Sequence, residues 1–194
     1  MVQKASVVTP ERFTSGFTYQ DYIAQIKVNK DRFQQNYDST PLSAEDAEFF
    51  REAAKSPDGP AKVLVIGEDW CPDVHRGMPV MARIAEASGM EMRIFPRDDN
   101  QDIMQEFLKD GQFQSIPVFV LYTNDHHYLC HWIERPAIAH KEADEVGEQV
   151  KAEMPSAAEQ EIRAEVRKRN NARFPAWQKA TVQEIRELLF NRVL

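Results

Sequence analysis

The chain has 194 residues, of which 42% are apolar and 28% charged, and its formal net charge is −7. This balance is typical of a globular protein with one well-filled core. Residues 151–194 hold nine Lys or Arg against six Asp or Glu, so residues 1–150 carry a charge of about −10. A charge of that sign argues against a nucleic-acid-binding surface on the main body.

Apolar segments and cysteines indicate the compartment. No stretch approaches the roughly 18 consecutive apolar residues of a membrane span, and the N-terminus has no apolar segment of signal-peptide length. The two cysteines, Cys71 and Cys130, do not make a disulfide framework, and in a reducing compartment both begin as thiols. We therefore expect a cytoplasmic protein that binds neither membrane nor nucleic acid. The basic run from Arg167 to Arg173 is expected to be a solvated helix face.

The N-terminal segment is predicted to be helical. Apolar side chains recur near one helical stripe between residues 18 and 37, which predicts a first helix there. Ser43 is followed three residues later by Asp46, a spacing that resembles a capping box and predicts a second helix over 43–55. The segment SPDGP ends this helix, because proline cannot continue it.

The middle of the chain alternates predicted strands with predicted helices. In chain order the elements are the strand AKVLVIG, a helix over 72–88, the strand MEMRIF, the helix NQDIMQEFLKDG, the hairpin strands VFVLY and HHYLCHWI, and a helix over 137–152. The continuous apolar run of the first strand favours a central strand buried on both faces. Gly89 and Gly111 are expected to end the first two helices, and Pro79 to kink the first. This order predicts an α/β sandwich with a mixed sheet of about four strands.

Two further helices are predicted after the sandwich, over 156–171 and 178–192. The second carries an apolar stripe made of Val182, Ile185, Leu188, Leu189 and Val193. Such a stripe needs cover, either from the protein's own core or from a second subunit. We expect it to dock on the core, and a homodimer formed through the helical extensions is the alternative.

Three segments of the sequence occur together in the order of a known family. KVLVIGEDWC places Trp-Cys after an apolar strand, RIFPRDDNQDIMQEFLKDGQFQSIPVFVLY contains an Ile-Pro strand, and HWIERP precedes the closing helix. Over about residues 43–150 the chain resembles the thioredoxin superfamily. The resemblance implies a thioredoxin-like three-layer α/β/α sandwich with a mixed β-sheet over 43–152. An N-terminal helical extension, 1–42, and a C-terminal one, 153–194, would complete a single globular unit.

The resemblance also implies which residues form the site. Cys71 would be the reacting thiol, and Trp70 would shape the floor beside it. The Ile116–Pro117 bond would be cis, so that the backbone of Ile116 could pair with an extended peptide. Arg135 would form the far edge of this groove. Taken alone, Pro117 is better explained as an ordinary trans proline at the start of a strand.

Cys71 lies at the predicted start of a helix, a position that affects the reactivity of its thiol. Unpaired backbone N–H groups and the helix dipole stabilise a thiolate there, so we expect a pKa below about 8.5, the unperturbed value. His75, four residues on, shares the helical face and could add a positive charge. The carboxylates of Asp73, Glu68 and Asp69 oppose a thiolate. An inert, partly buried thiol is the alternative.

Two residues depart from the family pattern. Val74 stands where the second cysteine of a dithiol motif would be, and Val65 stands where a buried aspartate would assist it. Cys71 therefore cannot be released from a mixed disulfide by a neighbouring thiol. The resemblance then implies monothiol exchange with protein or small-molecule disulfides and thiols, with glutathione as a co-substrate and no other cofactor. The alternative is a redox-inactive binding or adaptor module with the same fold and groove.

No metal site is expected. His126, His127 and His131 lie along one predicted strand, where adjacent side chains point to opposite faces. Cys71 and His75 could form a helical ligand pair, but the spacing places no other ligand near them. The histidines are expected to be solvated residues of an edge strand.

Cys130 is not expected to replace the missing thiol. It lies about four residues before the end of its predicted strand, or roughly 13 Å away, whereas a disulfide needs Cα atoms within about 7 Å. We predict that Cys130→Ser leaves the alkylation rate of Cys71 unchanged, as measured by mass spectrometry of the folded protein. Loss of Cys71 reactivity in a folded variant would contradict this expectation.

Overall fold

The structure is a computed structural model that describes residues 6–193, with the side chain of Val193 outside the described part. Over those residues the chain forms eight helices and four strands. The helices are α1 (Pro10–Thr14), α2 (Tyr19–Gln25), α3 (Lys30–Ser39), α4 (Ala44–Lys55), α5 (Pro72–Ser88), α6 (Gln101–Met104), α7 (Ala137–Glu153) and α8 (Glu159–Val193). The strands are β1 (Lys62–Gly67), β2 (Glu91–Pro96), β3 (Val118–Tyr122) and β4 (Tyr128–Ile133). The predicted α/β architecture with helical additions at both ends is confirmed.

The sheet is mixed, with the strand order β2-β1-β3-β4. Strand β1 runs parallel to β2 and antiparallel to β3, and β3 pairs with β4 as an antiparallel hairpin. Residues 63–67 of the central strand are buried, as its continuous apolar run predicted. Helix α5 begins five residues after β1 ends, so this strand delivers the segment Glu68–Cys71 to the helix start.

The predicted single helix over 18–37 is wrong, because α2 ends at Gln25 and α3 begins at Lys30. Between them Asn29 adopts a left-handed conformation with φ 60°, which asparagine tolerates better than most residues. The next predicted helix is confirmed as α4, and the Ser43 hydroxyl accepts a hydrogen bond from the Asp46 amide at 3.0 Å. This contact supplies a partner for one of the free amides at the helix start.

The predicted long helix that ends at Gly111 is also wrong, because α6 covers only Gln101–Met104. Asp110 and Gly111 have φ angles of 53° and 69°, which a right-handed helix does not contain. Lys109 and Phe113 instead exchange backbone hydrogen bonds of 2.9 Å in a short antiparallel bridge. The loop after α6 is therefore held by its own backbone pairing.

The two predicted C-terminal helices form one helix, α8, which contains Pro175. Proline removes one backbone hydrogen bond, but the residues on either side of it are anchored by packing. The rings of Phe174 and Trp177 lie 4.3 and 4.7 Å from the guanidinium carbon of Arg76 in α5. Tertiary packing therefore outweighs the local break that the sequence suggested.

One hydrophobic core takes side chains from both terminal additions. Phe13 and Phe33 of the N-terminal part and Val182 and Leu189 of α8 are fully buried in the same cluster as the strands. The apolar stripe of α8 thus covers the protein's own body, as expected. The side chain of Val193, also assigned to that stripe, lies outside the described part.

Two glycines allow α5 to approach its neighbours closely. A Cβ atom on Gly67, at the end of β1, would lie 2.8 Å from Cγ1 of Val74. A Cβ atom on Gly77 would lie 3.3 Å from Cγ of Pro117. The first turns of α5 are therefore seated directly against the sheet and against the Pro117 turn.

We predict that Gly67→Ala lowers the free energy of unfolding by about 1–3 kcal/mol, the typical cost of overpacking a core. The added methyl would clash with Val74, a stiff side chain that is fully buried and has no space to move away. Urea denaturation of the variant and of the parent protein measures this change in the free energy of unfolding.

The matched control is Gly147→Ala, because Gly147 lies inside α7 and a Cβ atom there meets nothing within 4 Å. Alanine is a better helix former than glycine, so the free energy of unfolding of this variant should rise by about 0.5–1 kcal/mol. Equal effects of the two substitutions would show that the close approach at Gly67 carries no weight.

Candidate functional site

Cys71 is the N-cap residue of α5 and faces the Pro117 turn. Its carbonyl accepts hydrogen bonds of 3.1 Å from the amides of Val74 and His75, which fixes the first turn of the helix. Its sulfur lies 3.8 Å from the carbonyl oxygen of Ile116, and the Ile116–Pro117 peptide bond is cis. The cysteine is only 9% exposed. Thiol and proline turn thus form two sides of one narrow cleft.

The Pro117 turn is held from the side opposite α5. The amide of Glu134 donates a 2.7 Å hydrogen bond to the carbonyl of Pro117. Glu134 itself has a φ of 72°, and its carboxylate binds Lys109 and Arg135. The end of β4 and the loop after α6 therefore fix the position of the turn.

The loop before Cys71 is also fixed by hydrogen bonds. The carboxylate of Glu68 accepts from the Asp98 amide at 2.8 Å. The carboxylate of Asp69 accepts from the amides of Lys27 and Val28, at 2.9 and 3.2 Å, in the break between α2 and α3. From sequence, Glu68 and Asp69 were expected only to oppose a thiolate, whereas in the structure both anchor the loop.

A buried ionic cluster lies directly after the cysteine. The carboxylate of Asp73 contacts Arg76 one turn further along α5 and binds Arg135 at 2.7 Å. Arg76 is only 5% exposed, with its guanidinium over the rings of Phe174 and Trp177, and burial lowers its pKa to about 9. We call these three ionic residues the Asp73 cluster. Arg76 was missed from sequence, although its i,i+3 spacing from Asp73 is that of a helical ion pair.

The expected lowering of the Cys71 pKa is wrong. Burial of the thiol raises its pKa above the ordinary value and outweighs every other influence. The groups that oppose this rise are, in order, the Val74 amide, Arg135, Arg76 and Arg97. Burial cannot be read from a local motif, which is why the sequence suggested the opposite direction.

His75 does not supply the positive charge that the sequence suggested. It is buried, its ring lies edge-on to Phe33 and tilted against Phe174, and burial lowers its pKa to about 4. His75 is therefore neutral at pH 7. Its carbonyl accepts a 2.8 Å hydrogen bond from the Asn36 side chain, so it links α5 to α3.

Trp70 lies beside the cleft as an exposed side chain. Half of it, 50%, is open to solvent, and the guanidinium carbon of Arg97 lies 5.1 Å from its ring. It therefore presents an apolar surface rather than a buried floor. Arg97 was not among the predicted site residues, and nothing in the local sequence pattern distinguishes it from other surface arginines.

The described residues carry no group of three or more His, Cys, Asp or Glu side chains placed to hold a metal ion. No helix within residues 6–193 is both long and apolar enough to cross a membrane.

Most of the chain matches a known protein family. A sequence model of the thioredoxin family matches residues 16–151. The chain belongs to the thioredoxin family. The match begins inside the segment 1–42, which was predicted to be an N-terminal extension.

Two solved structures resemble this thioredoxin-family chain. One is a protein of unknown function from Pseudomonas aeruginosa, 15% identical, with a TM-score of 0.63 over 96% of this chain and 98% of the other. The other is an HIV epitope scaffold, 15% identical, with a TM-score of 0.62 over 96% and 99%. At this identity the likeness extends to the fold alone. None of the curated proteins compared with the chain matches it.

This thioredoxin-family chain has no second thiol at the helix start. Val74 is fully buried against Gly67, so its position faces the sheet rather than the cleft. Cys130 is buried in β4, where burial raises its pKa to about 11, and both cysteines are free. Cys71 is therefore the single thiol at the cleft.

We predict that Asp73→Asn lowers the free energy of unfolding by about 3 kcal/mol, because it leaves the buried Arg76 without its ionic partner. The control is Asp98→Asn, which removes an exposed ion pair with Arg97 and should cost less than about 1 kcal/mol. Urea denaturation measures both. Equal losses would show that the Asp73 cluster is not an anchor of the site.

Proposed function

We propose that this thioredoxin-family protein carries out thiol–disulfide exchange with Cys71 as its single reacting thiol. One observation carries the proposal: the Cys71 sulfur lies at the start of α5, 3.8 Å from the Ile116 carbonyl and next to the cis Pro117 turn. A disulfide that entered this cleft would meet the sulfur on one side and polar backbone on the other. The family membership supports the same class of chemistry.

The proposed reaction has two balanced steps. The Cys71 thiolate attacks one sulfur of a disulfide, a bond forms between the two sulfurs, and the other half leaves as a thiolate. An external thiol, such as glutathione, then attacks the mixed disulfide and releases Cys71. The external thiol is required because Val74 supplies no sulfur and Cys130 is buried in β4.

Each neighbour of Cys71 has a proposed part. Trp70 offers an exposed apolar face to the substrate, and Ile116 and Pro117 form the opposite wall of the cleft. Arg135 is bound to Asp73 and Glu134, so it acts by holding the site together. Its charge also favours the Cys71 thiolate, which lowers the pKa of that thiol against the rise caused by burial.

A binding role without exchange is the second candidate. The observation that favours it is the burial of Cys71, which raises the pKa of the thiol and leaves little thiolate at neutral pH. Exposed apolar side chains beside the loop, Trp70 and Val28, would suit a partner surface. Val28 is placed there by the hydrogen bond from its amide to Asp69.

We predict that oxidised glutathione adds one glutathione to the folded protein, mapped to Cys71 and removed by a reducing agent. Because burial raises the pKa of Cys71, the rate should rise by about tenfold per pH unit below that pKa, as the thiolate fraction grows. Intact-mass spectrometry between pH 7 and pH 9 measures the adduct and its rate.

Two variants serve as controls for this experiment. Cys130→Ser should keep the adduct and Cys71→Ala should lose it, while circular dichroism shows that both remain folded. A folded wild-type protein that forms no adduct at Cys71 at any of these pH values would rule out exchange and leave the binding role. A rate that does not change with pH would contradict the thiolate mechanism.

A further inference from the structure

A groove of about 600 Å³ lies between the start of α5, α7 and the first half of α8. Pro72 lines it, so one end of the groove reaches the residue next to Cys71. All three residues of the Asp73 cluster also line the groove. Its volume is that of a site for a small molecule.

Basic side chains dominate the charge of this groove. Five lining residues are basic: Arg76, Arg135, Lys151, Arg163 and Arg167. Two are acidic, Asp73 and Glu159, and both are already bound to lining arginines. Lys151 is bound to Glu148 and Arg135 also to Glu134, two carboxylates outside the lining, so Arg167 supplies the positive charge of the groove that no ion pair in the described part of the chain balances.

Two basic groups of the groove have unused bonding capacity. Across the described residues, Arg167 has no carboxylate within ion-pair distance, although the sequence suggested no more than a solvated helix face. The Nε–H group of Arg135 is buried without a hydrogen-bond acceptor. An unsatisfied buried donor is costly. Because this Nε–H group is closed to solvent, a ligand carboxylate would satisfy it only after the Arg135 side chain turned toward the groove.

The rest of the groove is apolar. Ile162, Val166 and Phe174 of α8 line it, and Trp177 closes it below Arg76. Side chains of this kind favour an apolar body, whereas the arginines favour an acid group. A wholly polar anion would leave the apolar part of the lining without a partner.

We propose that the groove binds a small organic anion, whose carboxylate lies near Arg135 and Arg167 and whose apolar body lies on Val166 and Phe174. Bidentate hydrogen bonding makes guanidinium groups well suited to carboxylates. This binding site goes beyond the proposed exchange reaction, because binding of the anion does not use the sulfur of Cys71. Ligand binding and thiol exchange can therefore be tested separately.

The test compares three probes with the same eight-carbon chain and different head groups: octanoate, 1-octanol and octylammonium. Isothermal titration calorimetry at low salt, with the full-length protein, measures each affinity. We expect octanoate to bind at least about fivefold more tightly than 1-octanol, and octylammonium to bind most weakly, because the charge of the groove is positive. Equal affinities for octanoate and octylammonium would overturn the proposal.

Arg167→Glu should weaken octanoate binding by roughly three- to tenfold and leave 1-octanol binding unchanged. The matched control is Lys168→Glu, which makes the same charge change at the next residue, outside the groove lining. Both positions are exposed, so both variants should fold, as circular dichroism can verify. Equal weakening by the two variants would show a general charge effect and refute the assigned site. Failure of octanoate to bind the folded protein in this titration would refute the proposal as well.

Discussion

The site depends on the burial of the Asp73 carboxylate between Arg76 and Arg135. Arg76 belongs to α5 and Arg135 to the turn between β4 and α7, so one carboxylate joins the start of the thiol-bearing helix to the end of the last strand. A buried charge with no partner costs several kcal/mol, which makes each member of the cluster dependent on the others. The aromatic rings of Phe174 and Trp177 extend the same contact to α8.

This cluster has two opposed effects on Cys71. Its arginines favour a thiolate, and the close packing that orders them also removes the thiol from water. Burial dominates, so the pKa of Cys71 lies above the ordinary value although three arginines are near. The same balance explains how a site with positive surroundings can hold a thiol whose pKa is raised. A change that opened the cleft to water would lower the pKa of Cys71, because burial is the main cause of its rise.

The parts of the fold that depend on long periodic patterns could be predicted from sequence. The apolar run of β1, the helix from Pro72 to Ser88 and the hairpin of β3 and β4 all occur where expected. Two of the three errors in the helices occur where a distant group decides the local backbone. Asp69 holds the break between α2 and α3, and Arg76 anchors α8 across Pro175 through the flanking rings. Neither partner can be found by local periodicity.

The candidate site follows the same rule. Cys71, Ile116 and Pro117 could be named from short motifs because the family places them at fixed points of the chain. Burial is different, since the neutral state of His75 and the raised pKa of Cys71 depend on side chains from other elements. Arg76 could have been suspected from its spacing to Asp73, but Arg97 could not.

The segment between α2 and α3 and the C-terminal helix α8 both act on the cleft. The N-terminal part fixes the loop before Cys71, because the amides of Lys27 and Val28 bind Asp69. Helix α8 acts after Cys71, where its aromatic residues cover Arg76 and its basic residues form one wall of the groove. Without α8, Arg76 would lose the cover of Phe174 and Trp177, and its ion pair with Asp73 would approach an ordinary surface ion pair of small energy. Helix α8, which lies beyond the residues matched to the family, is therefore what turns this ion pair into a buried part of the site.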